Sequence, residues 1–276
     1  MDEGKRGWWL PGGGVDGPET PLEGAQREAI EEAGVLVNED DICLLQIEPG
    51  FQRLRYIFSG TAASDTLKTI PDKESEGARW MTRDETKELS KGKFPVSNSK
   101  LRGSEPLEFF RHCDEGKPEI PLRKDGPIQF IVDKETKGVQ TDKRDMFFTV
   151  FTSVVVCQVA GTDEFVVNPS IPSQICLPST PVDFKHFGVD MATSAIEMLE
   201  DMGIIEPKLE GISAIRDWRK KSNELDFRVA YIVRIDKKGK LKTAKASEFT
   251  DPFDVQAIEW FLKEKTLLPL SIIGHE

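Results

Sequence analysis

From Gly13 to Val35 the chain reads GGVDGPETPLEGAQREAIEEAGV, and this stretch decides how the rest is read. Thr20 is suited to capping a helix, Pro21 to its first position, and Glu23 completes a capping box with Thr20. Gly34 suits the left-handed residue that closes such a helix. The spacing therefore predicts a helix over 21–33, with Leu22, Ala25, Ala29 and Ala33 as its buried stripe. At ~100° per residue, Glu28, Glu31 and Glu32 fall within roughly a third of the circumference. Three carboxylates crowded on one face repel one another unless something positive sits among them. A hard divalent cation with oxygen ligands, Mg²⁺ or Mn²⁺, answers that need. Arg27 lies four residues before Glu31 and can brace it, or Glu19, through a charge-assisted hydrogen bond. Gly12, Gly13 and Gly14 let backbone approach a metal or phosphate closely.

Outward from this helix the chain divides. Residues 1–111 carry one set of patterns. Residues 112–144 are polar, charged and turn-rich, with Ile128–Val132 as a short strand, and read as a linker. From Asp145 to Glu276 a new globular pattern runs. It opens with a hairpin of Phe147–Val159 and Glu164–Val167 around Gly161-Thr162-Asp163. The halves share an ordered series of matches. Leu10-Pro11 pairs with Leu177-Pro178, and Glu31-Glu32-Ala33-Gly34-Val35 with Glu200-Asp201-Met202-Gly203-Ile204. Strand Arg53–Ser59 pairs with Phe227–Ile235, Leu67-Lys68-Thr69 with Leu241-Lys242-Thr243, and Arg79-Trp80-Met81 with Glu259-Trp260-Phe261. This order reads as a tandem duplication.

Composition narrows the function classes. A chain of 276 residues suggests about two domains. Asp and Glu number 48 against 37 Lys and Arg, a net charge of −11 that argues against a nucleic-acid polymer as partner. It leaves nucleotides open, since a metal ion can hold them. No stretch approaches the ~18 apolar residues of a membrane span, and Met1–Lys5 lacks the pattern of a signal peptide. Cys43, Cys113, Cys157 and Cys176 form no CxxC pair, which fits a reduced cytoplasmic or nuclear setting. Cys157 reads as core, and His112 and His186 as surface residues without ligand-spaced companions.

Gly13, Glu19, Arg27, Glu28, Glu31, Glu32 and Gly34, with apolar Val35 and the preceding Trp9-Leu10-Pro11-Gly12, resemble the Nudix box. The resemblance implies a Nudix (MutT-type) hydrolase that cleaves nucleoside diphosphates linked to another moiety. It implies Glu28 and Glu32 as principal metal ligands, and Glu31 as a third ligand or the water-activating base. The carbonyl of Gly12 or Gly13 would complete the shell, with Arg27 and Glu19 as orienting members of the catalytic set. Glu74 and Glu76 are candidates for a further carboxylate from outside the box. Arg55–Phe58, Leu67-Lys68-Thr69, the acid-rich approach to a strand at Ala78-Arg79-Trp80, and Phe148–Ser153 are similar to members that hydrolyse 8-oxo-guanine nucleoside diphosphates to monophosphates. The rival readings are an ADP-ribose or nucleotide-sugar pyrophosphatase and a non-catalytic nucleotide-binding protein.

The implied fold is α/β: two tandem Nudix-like α/β/α sandwich domains with mixed sheets, the first lacking its N-terminal strands. The second half carries about thirty residues before its Leu-Pro where the first has nine. A truncated gene model or isoform, a replacement segment, or pairing with a second subunit as a homodimer would each account for this, the first being preferred. A sheet without those strands exposes an edge and core residues such as Trp8 and Phe58, so residues 1–111 alone are expected to fold poorly. In the second half Glu197, Glu200 and Asp201 fall on Glu28, Glu31 and Glu32. Ile196 replaces the arginine, Ser179-Thr180-Pro181 the glycines, and Gly188 falls at the Glu19 position. That half is expected to keep the fold without turnover.

Overall fold

The computed structural model describes residues 7–16, 19–50, 53–91, 105–116, 119–123, 126–133, 148–182, 190–220, 224–236, 239–263 and 267–273. The expected features at Lys134–Gly138, Phe147, His186 and Gly188 lie outside these residues. The chain forms two compact units, Met1–Cys43 with Phe58–Glu119, and Leu44–Ile57 with Ile120–Glu276. No helix among the described residues is long and apolar enough to cross a membrane.

In the first unit the helix expected over 21–33 forms in two parts. Helix α1, Pro21–Glu28, continues as a π-helical turn at Ala29–Ala33. Its start is the expected capping box: Glu23 N donates to Thr20 Oγ1 (3.2 Å), and Thr20 N to Glu23 Oε2 (2.7 Å). Its end is Gly34 at φ 73°. A short antiparallel bridge, Val37 to Ala62, fixes the chain beyond the helix. Helix α2 (Arg83–Ser90) starts in a second capping box, Thr82 with Glu85. Helix α3 (Glu105–Asp114) packs beside it, with Arg83 bonded to Asp114 and its guanidinium 5.3 Å from the Phe110 ring. The strand expected at Ala78-Arg79-Trp80 is instead irregular chain. Ala78 N spends its hydrogen bond on Lys68 O (3.2 Å), within the loop. Trp8 and Phe58 are half-buried.

Strands β1 (Cys43–Gly50) and β2 (Arg53–Ser59) lie mostly in the second unit and make a three-stranded sheet with β3 (Ile120–Pro121) in the order β2-β1-β3. A seven-stranded sheet carries the core of that unit. Its strands are β4 (Ile128–Val132), β5 (Phe148–Val159), β6 (Glu164–Val166), β7 (Ser179–Val182), β8 (Gly211–Arg219), β9 (Glu224–Ile235) and β10 (Thr243–Lys245). The order is β10-β6-β5-β9-β8-β4, with β7 beside β5. The sheet is mixed: β5 runs parallel to β9 and β4 to β8, while β8 and β9 are antiparallel. The β-branched run of β5 belongs at the centre, where Val154, Val155, Val156 and Cys157 are buried on both faces. Helix α4 (Met191–Asp201) covers one face, with Ser153 Oγ donating to Met191 O (2.6 Å). Helix α5 (Pro252–Lys263) covers the other through Phe253, Ala257, Ile258 and Phe261.

Two expected boundaries move. Ile128–Val132 is not part of a connector: its apolar side chains make it a strand paired residue for residue with Ile215–Arg219. Helix α3 runs past the expected division at 111, because its helical pattern continues to Asp114.

Candidate active site

The first unit gathers Glu19, Glu28 and Glu31 around one guanidinium. Arg27, in the last turn of α1, donates Nε to Glu19 Oε2 (3.1 Å) and Nη2 to Glu19 Oε1 (2.7 Å). Its Nη1 donates to Glu28 Oε1 (2.8 Å) and Glu31 Oε2 (3.0 Å), and Nη2 also to Gly14 O (2.8 Å). The planar fork thus serves three carboxylates and a carbonyl at once, which an ammonium could not do in this geometry. The surrounding carboxylates, Glu19 foremost, raise the Arg27 pKa further, so it stays cationic throughout. Glu19 is itself oriented by Asp16 N, which donates to its Oε1 (2.6 Å).

Two glycines make this packing possible. A Cβ on Gly13 would lie 2.3 Å from Glu28 Oε1, so the loop backbone rests directly against that carboxylate. A Cβ on Gly24 would lie 3.0 Å from Glu19 Oε1. Gly13 belongs to the motif in the sequence, whereas no local signal marks Gly24.

Glu32 points elsewhere. Its Oε2 accepts from Gly12 N (2.9 Å) and Trp9 Nε1 (3.3 Å), joining the Trp9–Gly12 loop to the π turn. The π turn adds a residue to that turn of helix, so the expected regular spacing of ~100° per residue ends at Glu28. Among the described residues, no three His, Cys, Asp or Glu side chains converge into a group that could hold a metal ion. The donors are all hard oxygens, and the Gly13 backbone lies directly against the Glu28 carboxylate. Oxygen donors of this kind are the ligands that a Mg²⁺-type cation takes. Glu74 and Glu76 are exposed, and Glu74 pairs with Lys73 (3.3 Å) rather than joining the set.

One loop contact system was missed by sequence reasoning. Lys68 Nζ donates to Glu31 O (2.7 Å), Lys68 N to Ala33 O (2.8 Å), and Ser75 Oγ to Glu32 O (2.6 Å). No local signal in Leu67–Ser75 announces these bonds.

In the second unit Glu197, Glu200 and Asp201 are exposed on α4, and Ser179–Val182 forms strand β7 at the position of the glycine run. Gly203 ends α4 at φ 85°, as Gly34 ends the π turn. Cys157 is fully buried, and burial pushes its thiol up to about 12, as a core residue requires.

Part of the chain is similar to known proteins. A family model for the NUDIX domain matches residues 2–99. A Mycobacterium tuberculosis protein provisionally named 8-oxo-dGTP diphosphatase 3 is 29% identical over 120 residues, 41% of this chain and 55% of that protein. A Caenorhabditis elegans protein provisionally named nudix hydrolase 1 is 33% identical over 124 residues, 45% of this chain and 30% of that protein. The mouse 8-oxo-dGDP phosphatase NUDT18 is 38% identical over 79 residues, 28% of this chain and 24% of that protein. The chain thus matches about half, or less, of the length of each of these relatives. Residues 2–99, the segment that holds Arg27 and its carboxylate partners, thus match the NUDIX domain.

Proposed function

We propose that this chain is a divalent-cation-dependent hydrolase that cleaves the pyrophosphate of nucleoside diphosphates to leave a monophosphate. Oxidised guanine diphosphates of the 8-oxo-dGDP type are the leading substrate. The observation that carries this reading is the Arg27 guanidinium held among Glu19, Glu28 and Glu31, with Gly13 against Glu28. Glu28, Glu31 and Glu32, with the carbonyl of Gly12 or Gly13, would hold Mg²⁺ or Mn²⁺. When bound, such a cation offsets diphosphate charge and lowers the pKa of a coordinated water.

The chain's own residues do the rest. Arg27 fixes where Glu28 and Glu31 point. Glu19 and Gly14 O orient Arg27 in turn. Glu31 is the exposed member of the set, and its Oε1, the oxygen not bonded to Arg27, is the atom placed to take a proton from an attacking water. Two of the three relatives carry names that specify 8-oxo-guanine nucleotides, which supports the substrate class. Residues 145–276 are a degenerate copy of the same fold without a second active site. Ile196 stands where an arginine would be needed, and the three acids Glu197, Glu200 and Asp201 are exposed.

The test is turnover by the full chain with Mg²⁺ on 8-oxo-dGDP, ADP-ribose and a nucleotide sugar, beside the Glu32→Gln variant. Monophosphate release from 8-oxo-dGDP by the native chain, reduced about 10²–10⁴-fold in the variant, is expected. Faster turnover of ADP-ribose or the nucleotide sugar moves the substrate to that class. No turnover of any by the native chain leaves a nucleotide-binding protein, the reading favoured by the engagement of Glu32 with Trp9 and Gly12.

A further inference from the structure

A helix leaves its last carbonyls without intrahelical donors, and a π turn is a rare, costly conformation that persists only where its surroundings hold it. Here the three consecutive carbonyls of Glu31, Glu32 and Ala33 are all taken by one loop. Lys68 Nζ, Ser75 Oγ and Lys68 N reach them at 2.7, 2.6 and 2.8 Å, in that order. The loop is in turn organised by one atom. Asp72 Oδ1 accepts from Lys68 Nζ (2.6 Å), Glu74 N (2.8 Å) and Ser75 N (3.1 Å), and Asp72 N donates to Ser75 O (3.0 Å). The Lys68 side chain is only 12% exposed, so its ammonium is committed to these partners and lies at the negative end of the helix. Gly34 completes the fit: at φ 73° a Cβ there would come within 2.7 Å of Lys68 N.

Glu31 and Glu32 therefore belong to the same two peptide units that the loop pins. Relaxing the π turn to an α turn would remove one residue from it and rotate the downstream residues by ~100°. We propose that Lys68 and Ser75, organised by Asp72, are positioning residues that lock the π turn and so set where the Glu31 and Glu32 carboxylates stand for the cation. This rests on the function proposed above, which assigns those carboxylates to the cation.

The experiment compares the full native chain with Lys68→Met, Ser75→Ala, and the conservative variants Lys68→Arg and Ser75→Thr. Three quantities are read: Mn²⁺ affinity by electron paramagnetic resonance, hydrogen exchange at the Gly34 and Val35 amides, and the thermal midpoint. These amides donate to Ile30 O (2.9 Å) and Ala29 O (3.1 Å) and report the π turn directly. Expected are faster exchange at both amides and a 10–100-fold weaker Mn²⁺ affinity in Lys68→Met and Ser75→Ala. The conservative variants should recover most of both. Lowered midpoints with native Mn²⁺ affinity would mean a merely structural loop and overturn the proposal, as would native exchange at Gly34 and Val35 in folded variants. If Lys68→Met does not fold, Ser75→Ala decides alone. A native chain that binds no Mn²⁺ and turns over no nucleotide overturns the function above. In that event unchanged amide exchange in the variants would separately dismiss the lock, and accelerated exchange would keep the loop as the lock of the π turn.

Discussion

Tyr56 Oη donates its proton to Asp217 Oδ2, joining β2 to β8 across most of the chain. Asp217 is 1% exposed, burial raises its pKa, and Arg219 Nε lies 3.5 Å from its Oδ1. The Tyr56 ring packs edge-on against Phe130 and Phe227. Tyr56 thus lies inside the matched NUDIX segment yet belongs to the unit that contains β8.

Removing the hydroxyl in Tyr56→Phe leaves a buried carboxylate short of a donor. The expected loss is about 1–3 kcal/mol in urea unfolding. Asp217→Leu in the same background should recover part of it, because both partners are then gone. Strictly additive losses would show that the pair does not interact. By the same argument residues 1–111 alone strand Tyr56 without its partners, and that fragment should show no cooperative melt and poorly dispersed amide signals.

Gly13→Ala separates site geometry from stability. The added Cβ would meet the far end of the flexible Glu28 side chain at 2.3 Å, so the carboxylate swings away at little cost to the fold. The thermal midpoint should change little while Mn²⁺ affinity falls 10–100-fold. Native affinity in this variant would remove Gly13 and Glu28 from the proposed metal site.

Arg27→Lys keeps the charge and loses the fork. One ammonium cannot reach Glu19, Glu28 and Glu31 together, so Glu28 and Glu31 lose their common brace. Turnover should drop at least about 10-fold with the nucleotide KM nearly unchanged, since an orienting residue acts on the reacting groups. A variant with native kcat would assign Arg27 to folding alone.

These residues mark how far the sequence could be read. The capping box at Thr20 and Glu23, the closing Gly34, the brace by Arg27 and the strand Arg53–Ser59 are set by neighbours within a few positions, and all are found. The π turn was not legible, because it depends on Lys68 and Ser75 taking carbonyls from a distant loop. Ile128–Val132 read as a strand within a linker, because its partner Ile215–Arg219 lies far downstream. Placement of Leu44–Ile57 with the second unit likewise rests on contacts such as Tyr56 to Asp217 that carry no local signal.

Asp254 gives the chain a measurable acid dependence. Its carboxylate is 5% exposed and accepts from Leu177 N (2.8 Å). Burial, aided by Asp251, pushes it up to about 6 from the ordinary 3.8, against the opposing pull of Leu177 N, Arg228 and Arg216. The folded chain therefore holds this proton more tightly than the unfolded chain. The group's favourable contribution is complete below about pH 4 and is lost as pH rises through about 6. Asp254→Asn keeps an acceptor for Leu177 N and cannot ionise. The variant should gain on the native chain between pH 4 and 7 by roughly 3 kcal/mol, the equivalent of the shift, and hold a constant lead above pH 7. Urea unfolding at pH 4, 5, 6, 7 and 8 checks this. A difference between the two chains that does not change across that range would mean Asp254 titrates normally in the fold.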